Sequence, residues 1–231
     1  MKCVILQPSY IPWRGYFHQI YKADCFVFYD DVQYDKNGWR NRNRIKTSQG
    51  ARWLTIPVLT KRTDAGPPLI NDILIDQSRD WSRKHWLTLQ QSYSKSPYFS
   101  RYSDFLEGFY QKQYTRLSDF TIDLTIALAD KLGIAHTQFV RSSNYPVTGQ
   151  KTDRLVNLLS KIGATHYISG PSAQNYIEVD KFSAAGISLE YMIYDYPEYA
   201  QLYPPYDPQV SILDLLFMTG DKAGSFIWNE P

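Results

Sequence analysis

The sequence predicts an α/β protein whose sheet is mainly parallel, and three observations lead to this fold class. Two short apolar runs, KCVILQ at 2–7 and CFVFY at 25–29, are typical of buried strands. Between them lie a loop with two prolines and a glycine and then a short helical pattern through Phe17, Ile20 and Tyr21. A strand, a helix and a second strand in this order form a βαβ unit, whose strands are parallel neighbours. We therefore expect a Rossmann-like architecture.

The remaining elements continue the alternation of strands and helices. Further strands are predicted at 53–58, 70–75, 137–140, 166–169 and 187–191, and helices at 81–93, 98–110, 117–132, 152–162 and 211–219. Ser211 is the expected N-cap of the last helix, with Asp214 as an acidic variant of the capping box. The consecutive helices make a helical block at about 78–132. Because no repeat or linker interrupts the chain, we expect one α/β domain over residues 1–231.

Composition excludes several classes of protein. The 25 basic and 23 acidic residues leave a net charge of +2, which gives no general reason to expect binding to nucleic acid or membranes. No secretory signal is visible, and no apolar run approaches the ~18 residues that a membrane span requires. We therefore expect a cytoplasmic protein without a membrane span. Cys3 and Cys25 lie in apolar runs and are predicted to be buried and reduced.

Polar and aromatic side chains concentrate in the loop after the first predicted strand and in the helix that follows. This group comprises Gln7, Tyr10, Trp13, Arg14, Tyr16 and His18. In an open parallel sheet, ligands bind beyond the carboxyl ends of the strands. The free N–H groups of the helix would attract an anion, and Arg14 or His18 would supplement them. The alternative is a rigid turn whose aromatic rings close the end of the sheet, although such a turn does not require so many polar side chains.

A second group lies in the basic and aromatic run DDVQYDKNGWRNRNRIK at 30–46. Its candidate ligand-binding residues are Lys36, Trp39, Arg40, Asn41 and Arg42, and its candidate general bases are Asp30 and Asp31. Guanidinium groups suit phosphates, an indole stacks on a sugar or a base, and paired carboxylates suit proton transfer or Mg²⁺. If Arg40, Arg42 and Arg44 alternate along one strand, all three project from the same face. The alternative is a solvated basic hairpin that pairs with the two acids.

A third group follows the strand predicted at 166–169. Ser169, Gly170, Ser172 and Tyr176 should lie at the same edge of the sheet as the first loop. Ser172 suits a helix N-cap better than a nucleophile, because the sequence has no Gly-x-Ser-x-Gly elbow. The sequence also has no zinc spacing, Walker A loop or Gly-x-Gly-x-x-Gly pattern. No metal site is therefore predicted and the cofactor stays unknown, although a nucleotide with Mg²⁺ would suit these residues.

Four blocks of the sequence, spread over nearly the whole chain, resemble the WbqC-like protein family. They are ILQPSYIPWRGYFHQIYKADCFVFYDDVQYDKNGWRNRNRIK, WLTIPV, HYISGPSAQNYI and PPYDPQVSILDLLFMTG. The resemblance implies a role in bacterial surface-polysaccharide (O-antigen) biosynthesis. The opening is also similar, at the level of the fold, to HIGH-type nucleotidyltransferases. It departs from them in having the single histidine His18 and no Lys-Met-Ser-Lys-Ser-like loop.

These observations lead to three hypotheses. The first is a transferase or ligase that moves an acyl or aminoacyl group to an amino sugar or a related amine on a phosphorylated or nucleotide-linked substrate. In it, His18, Asp30 or Asp31 acts as general base, and positioning supplies most of the rate. The second is a non-catalytic protein that binds a nucleotide-sugar or glycan. The third is an RNA-binding protein, with tRNA as its partner, which predicts a steep dependence of affinity on salt. The sequence gives no indication of the oligomeric state.

Overall fold

The computed structural model of the protein describes residues 1–60 and 66–228. The strands are β1 (Lys2–Leu6), β2 (Cys25–Phe28), β3 (Arg42–Thr47), β4 (Gly50–Thr55), β5 (Val58–Leu59), β6 (Leu74–Ile75), β7 (Gln138–Arg141), β8 (His166–Ser169) and β9 (Ser188–Tyr191). The α-helices are α1 (Arg14–Lys22), α2 (Trp81–Tyr93), α3 (Phe99–Gln111), α4 (Leu117–Lys131), α5 (Lys151–Ile162), α6 (Val179–Ala184) and α7 (Ile212–Thr219). The alternation of strands and helices, with a helical block between β6 and β7, agrees with the sequence prediction.

The central sheet has five strands in the order β7-β2-β1-β8-β9. All neighbouring strands are parallel, which confirms the predicted Rossmann-like α/β class. The chain moves outward from β1 through β2 to β7, and α5 then returns it to β8 on the other side of β1. The strand order thus reverses between β1 and β8. At such a reversal the loops after the two strands separate, and the crevice between them is the usual ligand position in open α/β sheets.

Side chains of alternate strand residues enter two separate cores on the two faces of the sheet. Val4 and Phe26 belong to the larger core, which contains α1, the helical block α2–α4 and α7. Cys3 and Cys25 belong to the smaller core, under α5 and α6. The two cysteines occupy paired positions in neighbouring strands and are free thiols, as predicted. The period of two along each strand therefore explains why both faces of the sheet are covered.

Two predicted strands are wrong. The run 53–58 does not form one strand, because β4 ends at Thr55 and Pro57 cannot donate a hydrogen bond to a ladder. Instead, the N–H of Ile56 donates to the carbonyl of Asn41 at 2.8 Å. The run 70–75 begins with a 3₁₀ turn over Ile70–Asp72, and only the two residues of β6 are extended. The apolar pattern there reflects burial, since Ile70 and Ile73 are in the larger core.

The capping of α7 agrees with the sequence only in part. Ser211 is the N-cap, and its hydroxyl accepts from the N–H of Leu213 at 3.3 Å. The carboxylate of Asp214 does not close the predicted capping box. It accepts hydrogen bonds from the hydroxyls of Tyr93 at 3.0 Å and Tyr199 at 2.8 Å, because it is buried and points toward α2. Asp214 therefore fixes α7 to the helical block and does not cap the N-terminus of α7.

The β3–β4 hairpin packs over the loop that follows β1. The N–H of Ser211 donates to the carbonyl of Arg44 at 2.9 Å, and the N–H of Ile212 donates to the carbonyl of Pro12 at 2.8 Å. The start of α7 thus joins the hairpin to the loop after β1. These three segments meet at the carboxyl edge of the sheet, beside the reversal of strand order.

Candidate ligand-binding cleft

A cleft of about 480 Å³ opens where the loop after β1, the start of α1 and the hairpin meet. Its walls are formed by Leu6, Gln7, Ser9, Pro12, Trp13, Tyr16, Trp39, Arg40, Asn43 and Gln209. Apolar and aromatic side chains form most of this wall, and a few amides and one guanidinium interrupt it. This size and this mixture are typical of sites for small organic ligands.

Hydrogen bonds to backbone carbonyls hold the two sides of the cleft together. The N–H of Tyr10 donates to the carbonyl of Trp39 at 3.1 Å. The buried amide of Asn43 donates to the carbonyls of Tyr10 at 3.1 Å and Ile11 at 2.8 Å. Ile11 has a φ of 37°, a left-handed conformation that a β-branched residue rarely adopts. Such strain persists only where neighbouring contacts enforce it, and here Asn43 supplies those contacts.

Arg40 is the charged residue of the cleft wall. Its Nη1 donates to Oε1 of Gln7. Its Nε–H is buried and has no hydrogen-bond partner among the described residues. Burial lowers the pKa of the guanidinium, while Asp35 and the nearby tyrosines act in the opposite direction. Within residues 1–60 and 66–228, no carboxylate lies close enough to Arg40 to form an ion pair. A largely desolvated cation without an ion-pair partner is costly, and an anionic ligand would relieve that cost.

The start of α1 borders the same cleft. Trp13 occupies its N-cap position, and its indole packs edge-on against Tyr194, with 5.0 Å between the ring centroids. A side chain at Gly15 would collide with this indole, so glycine allows Trp13 to lie across the first turn. In the part of the chain that the structure describes, no side chain caps α1 and no acidic residue occupies its first turn. The positive end of the helix dipole therefore adds to the charge of Arg40.

Tyr16 forms part of the buried wall of the cleft. Its hydroxyl donates to the carbonyl of Gln7 at 3.1 Å. Burial raises the pKa of this hydroxyl, although Arg40 acts against the shift. A neutral phenol in this position is a hydrogen-bonding group and not a base at neutral pH.

Five residues of the first two predicted groups line this cleft. They are Gln7, Trp13, Tyr16, Trp39 and Arg40. Tyr10 lies behind the wall, fully buried, where its hydroxyl contacts His85 Nδ1 at 2.9 Å and the Tyr110 hydroxyl at 2.7 Å. The first group and the start of the second are therefore brought together, as the sequence suggested.

Arg14 and His18 do not line the cleft. The guanidinium of Arg14 donates to the carbonyls of Pro197 at 2.8 Å and Phe226 at 3.1 Å. It also lies 4.6 Å from the ring centroid of Tyr196. His18 Nδ1 is 3.0 Å from the hydroxyl of the same tyrosine. Both side chains project from α1 toward the chain that follows β9. Their partners are protein groups, whereas the sequence predicted that they would bind an anionic ligand.

Asp30 and Asp31 form a separate cluster at the carboxyl ends of β2 and β7. Asp30 is fully buried and accepts from Ser142 Oγ at 3.2 Å and from the N–H and hydroxyl of Ser143, each at 3.1 Å. Asp31 accepts from Ser142 Oγ at 2.5 Å and forms an ion pair of 2.6 Å with Arg154 on α5. Neither carboxylate lines the cleft. Their protein partners give them a structural role in joining the sheet to the turn after β7.

The other predicted ligands of the basic run lie outside the cleft, in different places. Arg40 precedes β3, so the predicted ladder of Arg40, Arg42 and Arg44 along one strand is wrong. Arg42 and Arg44 do share a face, beside the ring of Trp53. Asn41 is buried and donates to the carbonyl of Ile56 at 2.8 Å, outside the cleft. Lys36 is exposed and lines a second, more open depression beside Pro67 and Pro68. The two predicted acids pair with none of these arginines.

The third predicted group lies beside the cleft and not in its wall. Ser169 is buried against the hydroxyl of Tyr167 at 3.4 Å, while Ser172 and Tyr176 are exposed. Gly170 faces the hydroxyl of Tyr194, which also packs on Trp13 and accepts from Gln19 at 2.8 Å. Tyr194 therefore separates the loop after β8 from the cleft. The expectation that all three groups share one cavity therefore holds only for Gln7, Trp13 and Tyr16 of the first group and for Trp39 and Arg40 of the second.

Three polar residues of the cleft wall, Ser9, Asn43 and Gln209, were not among the predicted ligands. Asn43 lies in the basic and aromatic run, and its register in β3 decides that it faces the loop after β1. Gln209 comes from a proline-rich loop more than a hundred residues away, and Arg44 donates to its carbonyl and side chain at 3.0 and 2.7 Å. No local pattern in the sequence marks Gln209. Only the docking of α7 brings it to the cleft.

The fold and the cleft define an α/β protein with an anion-compatible site at the edge of a parallel sheet. The model of the WbqC-like protein family matches residues 7–226, and the chain belongs to this family. It is 43% identical over 228 residues to the uncharacterized protein Rv1507c of Mycobacterium tuberculosis, covering 98% of this chain and 97% of the relative. No solved structure matches it significantly.

Residues 1–60 and 66–228 show neither a membrane-spanning helix nor a metal-binding cluster. None of the helices described there is both long and apolar enough to cross a membrane. Nor do those residues contain a group of three or more His, Cys, Asp or Glu side chains that is arranged to hold a metal ion.

Proposed function

We propose that the protein is a transferase of bacterial surface-polysaccharide biosynthesis that binds a phosphorylated or nucleotide-linked sugar in the cleft. The proposal depends on one observation above the others, the half-buried guanidinium of Arg40, whose Nε–H is buried and unsatisfied and which has no ion-pair partner among the described residues. A phosphate provides both the charge and the acceptor oxygens that this group lacks. Family membership supports the polysaccharide context, and the proposal includes a cytoplasmic location.

The walls of the cleft suit the sugar part of such a ligand. Trp13 and Trp39 present aromatic surface to a sugar ring, and both side chains are more than a third exposed. The amides of Gln7, Asn43 and Gln209 line the same wall and are suited to hydroxyl groups. A cleft of about 480 Å³ accommodates a monosaccharide with its phosphate.

The reaction that we propose is transfer of an acyl or aminoacyl group to an amine of the bound sugar. Among the described residues, none of those that line the cleft is an Asp, Glu or His. In this step the amine nitrogen attacks the acyl carbonyl, and the new C–N bond replaces the C–S bond of a thioester or the C–O bond of an aminoacyl ester. The departing thiolate or alkoxide takes up the proton that the nitrogen loses. Catalysis would therefore depend on holding the amine against the activated acyl donor and on neutralising charge with Arg40 and the start of α1. The predicted bases His18, Asp30 and Asp31 are not part of this proposal, because their contacts lie with other protein groups.

The same lack of a titratable base favours a second candidate, a protein that binds the phosphorylated sugar without turning it over. The two candidates share the ligand and differ in the product. Incubation with nucleotide-linked amino sugars and acyl thioesters or aminoacyl-tRNA, followed by mass spectrometry, separates them. An N-acylated sugar supports the transferase, whereas tight binding without any product supports the binding protein.

A thermal-shift screen tests the ligand class itself. The panel contains sugar 1-phosphates, nucleotide-linked sugars and the corresponding unphosphorylated sugars. A ligand at about 100 times its dissociation constant stabilises the folded state by about 2.7 kcal/mol, which raises the Tm measurably. We expect phosphorylated compounds alone to raise the Tm. A rise with neutral glycans and none with any phosphorylated compound would overturn the proposal.

A further inference from the structure

Trp39 and Trp53 form an exposed aromatic pair beside the cleft. Their ring centroids are 5.2 Å apart, the ring planes differ by 33°, and the residues are 45% and 44% exposed. Trp39 lines the cleft, whereas Trp53 lies on β4, on the outer face of the hairpin. The pair therefore extends the aromatic wall of the cleft outward across the hairpin. Exposed tryptophans in mutual contact are unusual unless they meet a ligand or partner.

Arginine accompanies this aromatic surface. The guanidinium of Arg42 lies 4.6 Å from the ring centroid of Trp53. Its Nη2 donates to the carbonyl of Asn37 at 2.5 Å, while its Nε is buried without a hydrogen-bond partner among the described residues. In residues 1–60 and 66–228, neither Arg42 nor Arg40 forms an ion pair with a carboxylate. Two arginines without ion-pair partners among the described residues thus lie on either side of position 41, one in the cleft and one beside the outer tryptophan.

We propose that the ligand is a nucleoside diphosphate sugar whose base stacks on the pair formed by Trp39 and Trp53. Its diphosphate lies between Arg40 and Arg42, and its sugar occupies the cleft. This inference rests on the proposed function and specifies its substrate class. A sugar phosphate would use only Arg40 and the inner walls, whereas a nucleotide also uses the outer aromatic surface and the second guanidinium. Any nucleobase offers a face for such stacking.

A single nucleotide fits this surface better than an RNA strand does. Arg44, the next arginine of β3, is engaged by Gln209 at 2.7 Å and by the carboxylate of Asp207 at 3.7 Å. Of the two arginines beside the ring of Trp53, only Arg42 is therefore without an ion pair among the described residues. An RNA site requires a longer basic track, and the net charge of the whole chain is only +2.

The test compares nucleoside diphosphates with a probe that lacks a base. Uridine diphosphate, guanosine diphosphate and inorganic pyrophosphate are titrated calorimetrically into the wild-type protein and into Trp53→Ala, Trp53→Phe and Arg40→Met. Leu87→Ala, which removes an exposed hydrophobic side chain on α2, is the control. Stacking on one aromatic ring contributes about 1–3 kcal/mol. The wild type should therefore bind the two nucleoside diphosphates about 5-fold to about 150-fold more tightly than inorganic pyrophosphate.

Each variant has a distinct expected result. Trp53→Ala should lose the preference for the nucleoside diphosphates and keep its affinity for pyrophosphate, whereas Trp53→Phe should retain most of the preference. Arg40→Met should weaken all three probes. Arg40→Met weakens binding in two further outcomes, one in which the wild type binds nucleoside diphosphates no more tightly than pyrophosphate and one in which Trp53→Ala keeps the wild-type preference for nucleoside diphosphates. Either result would show that the base subsite is wrong, and the proposed function would stand.

Other results contradict more than the base subsite. If no probe binds, or Arg40→Met changes no affinity, the proposed function fails together with the inference. A ten-nucleotide oligouridine that binds far more tightly than uridine diphosphate, with a steep salt dependence and sensitivity to Trp53→Ala, would assign the surface to RNA and overturn the nucleotide-sugar proposal.

Discussion

Lowering the pH from 7.5 to 4.5 should destabilise the fold through His85. This side chain on α2 is buried, and its Nδ1 lies 2.9 Å from the hydroxyl of Tyr10, which in turn meets the hydroxyl of Tyr110 at 2.7 Å. Tyr10 belongs to the loop that forms one side of the cleft. Burial lowers the pKa of His85 from 6.5 to about 4, and a hydrogen bond with the backbone of Thr55 opposes part of the shift.

The sign and size of the effect follow from linkage. Below pH 6.5 the unfolded chain takes up a proton at this histidine, whereas the folded chain does so only near pH 4. Between these values the unfolded state binds more protons, so the free energy of unfolding falls as the pH falls. At about 1.36 kcal/mol for each pKa unit, the loss reaches about 2.5 kcal/mol at pH 4.5. Above pH 6.5 this histidine contributes no pH dependence.

Urea denaturation of the wild type and His85→Gln at both pH values measures this contribution. Glutamine does not titrate, so the variant should be less stable at pH 7.5 and should lose about 2.5 kcal/mol less between the two pH values. Other groups that titrate in this range affect both proteins and cancel in the comparison. Equal losses in the two proteins would show that His85 is not held neutral by burial.

Three further substitutions test individual contacts. Asn43→Ala should lower the free energy of unfolding by about 2 kcal/mol in urea melts, because two buried carbonyls lose their donor; an unchanged midpoint would contradict this. Gly220→Ala should destabilise by about 2 kcal/mol or more, since φ is +56° and the new methyl group would overlap the ring of Tyr98. The control Gly108→Ala, exposed in α3 with nothing near, should stabilise by about 0.5–1 kcal/mol. Asp31→Asn should leave sugar-phosphate affinity unchanged by calorimetry, whereas a large loss would place this carboxylate in the site.

Elements with a strong local pattern could be predicted from the sequence. The strand 166–169 and the helix 81–93 have the predicted bounds, because each is a clear periodic run with distinct ends. The prediction of one strand over 70–75 is wrong because Ile70 and Ile73 are buried by tertiary contacts without joining a ladder, and only Leu74 and Ile75 pair with β5. There, the N–H groups of Ile70 and Asn71 donate to the carbonyls of Val32 and Asp30, each at 2.9 Å. Periodicity reports burial, and it identifies a strand only where a neighbouring strand pairs with it.

The candidate site could be predicted only where neighbours in sequence are also neighbours in space. The loop after β1 was recognised because a βαβ unit fixes its position at the sheet edge. Whether a charged side chain enters the cleft depends on partners that are distant in sequence. Arg14 is held by the carbonyl of Pro197, and Asp31 is held by Arg154. The position of Gln209 depends on the docking of α7, and the exposed position of Trp53 depends on the register of the hairpin, so neither could be predicted from the sequence.

The most direct test of the central claim is the affinity of Arg40→Met for one sugar phosphate and for its unphosphorylated parent. Arg52→Met is the matched control, because Arg52 is an exposed arginine of the same hairpin. Hydrogen bonds to a charged group contribute about 1.5–3 kcal/mol, so Arg40→Met should lose about 10-fold to about 150-fold in affinity for the sugar phosphate. Its affinity for the neutral sugar and both affinities of the control should stay unchanged. Equal affinities of wild type and Arg40→Met for the sugar phosphate would contradict the assignment of this cleft.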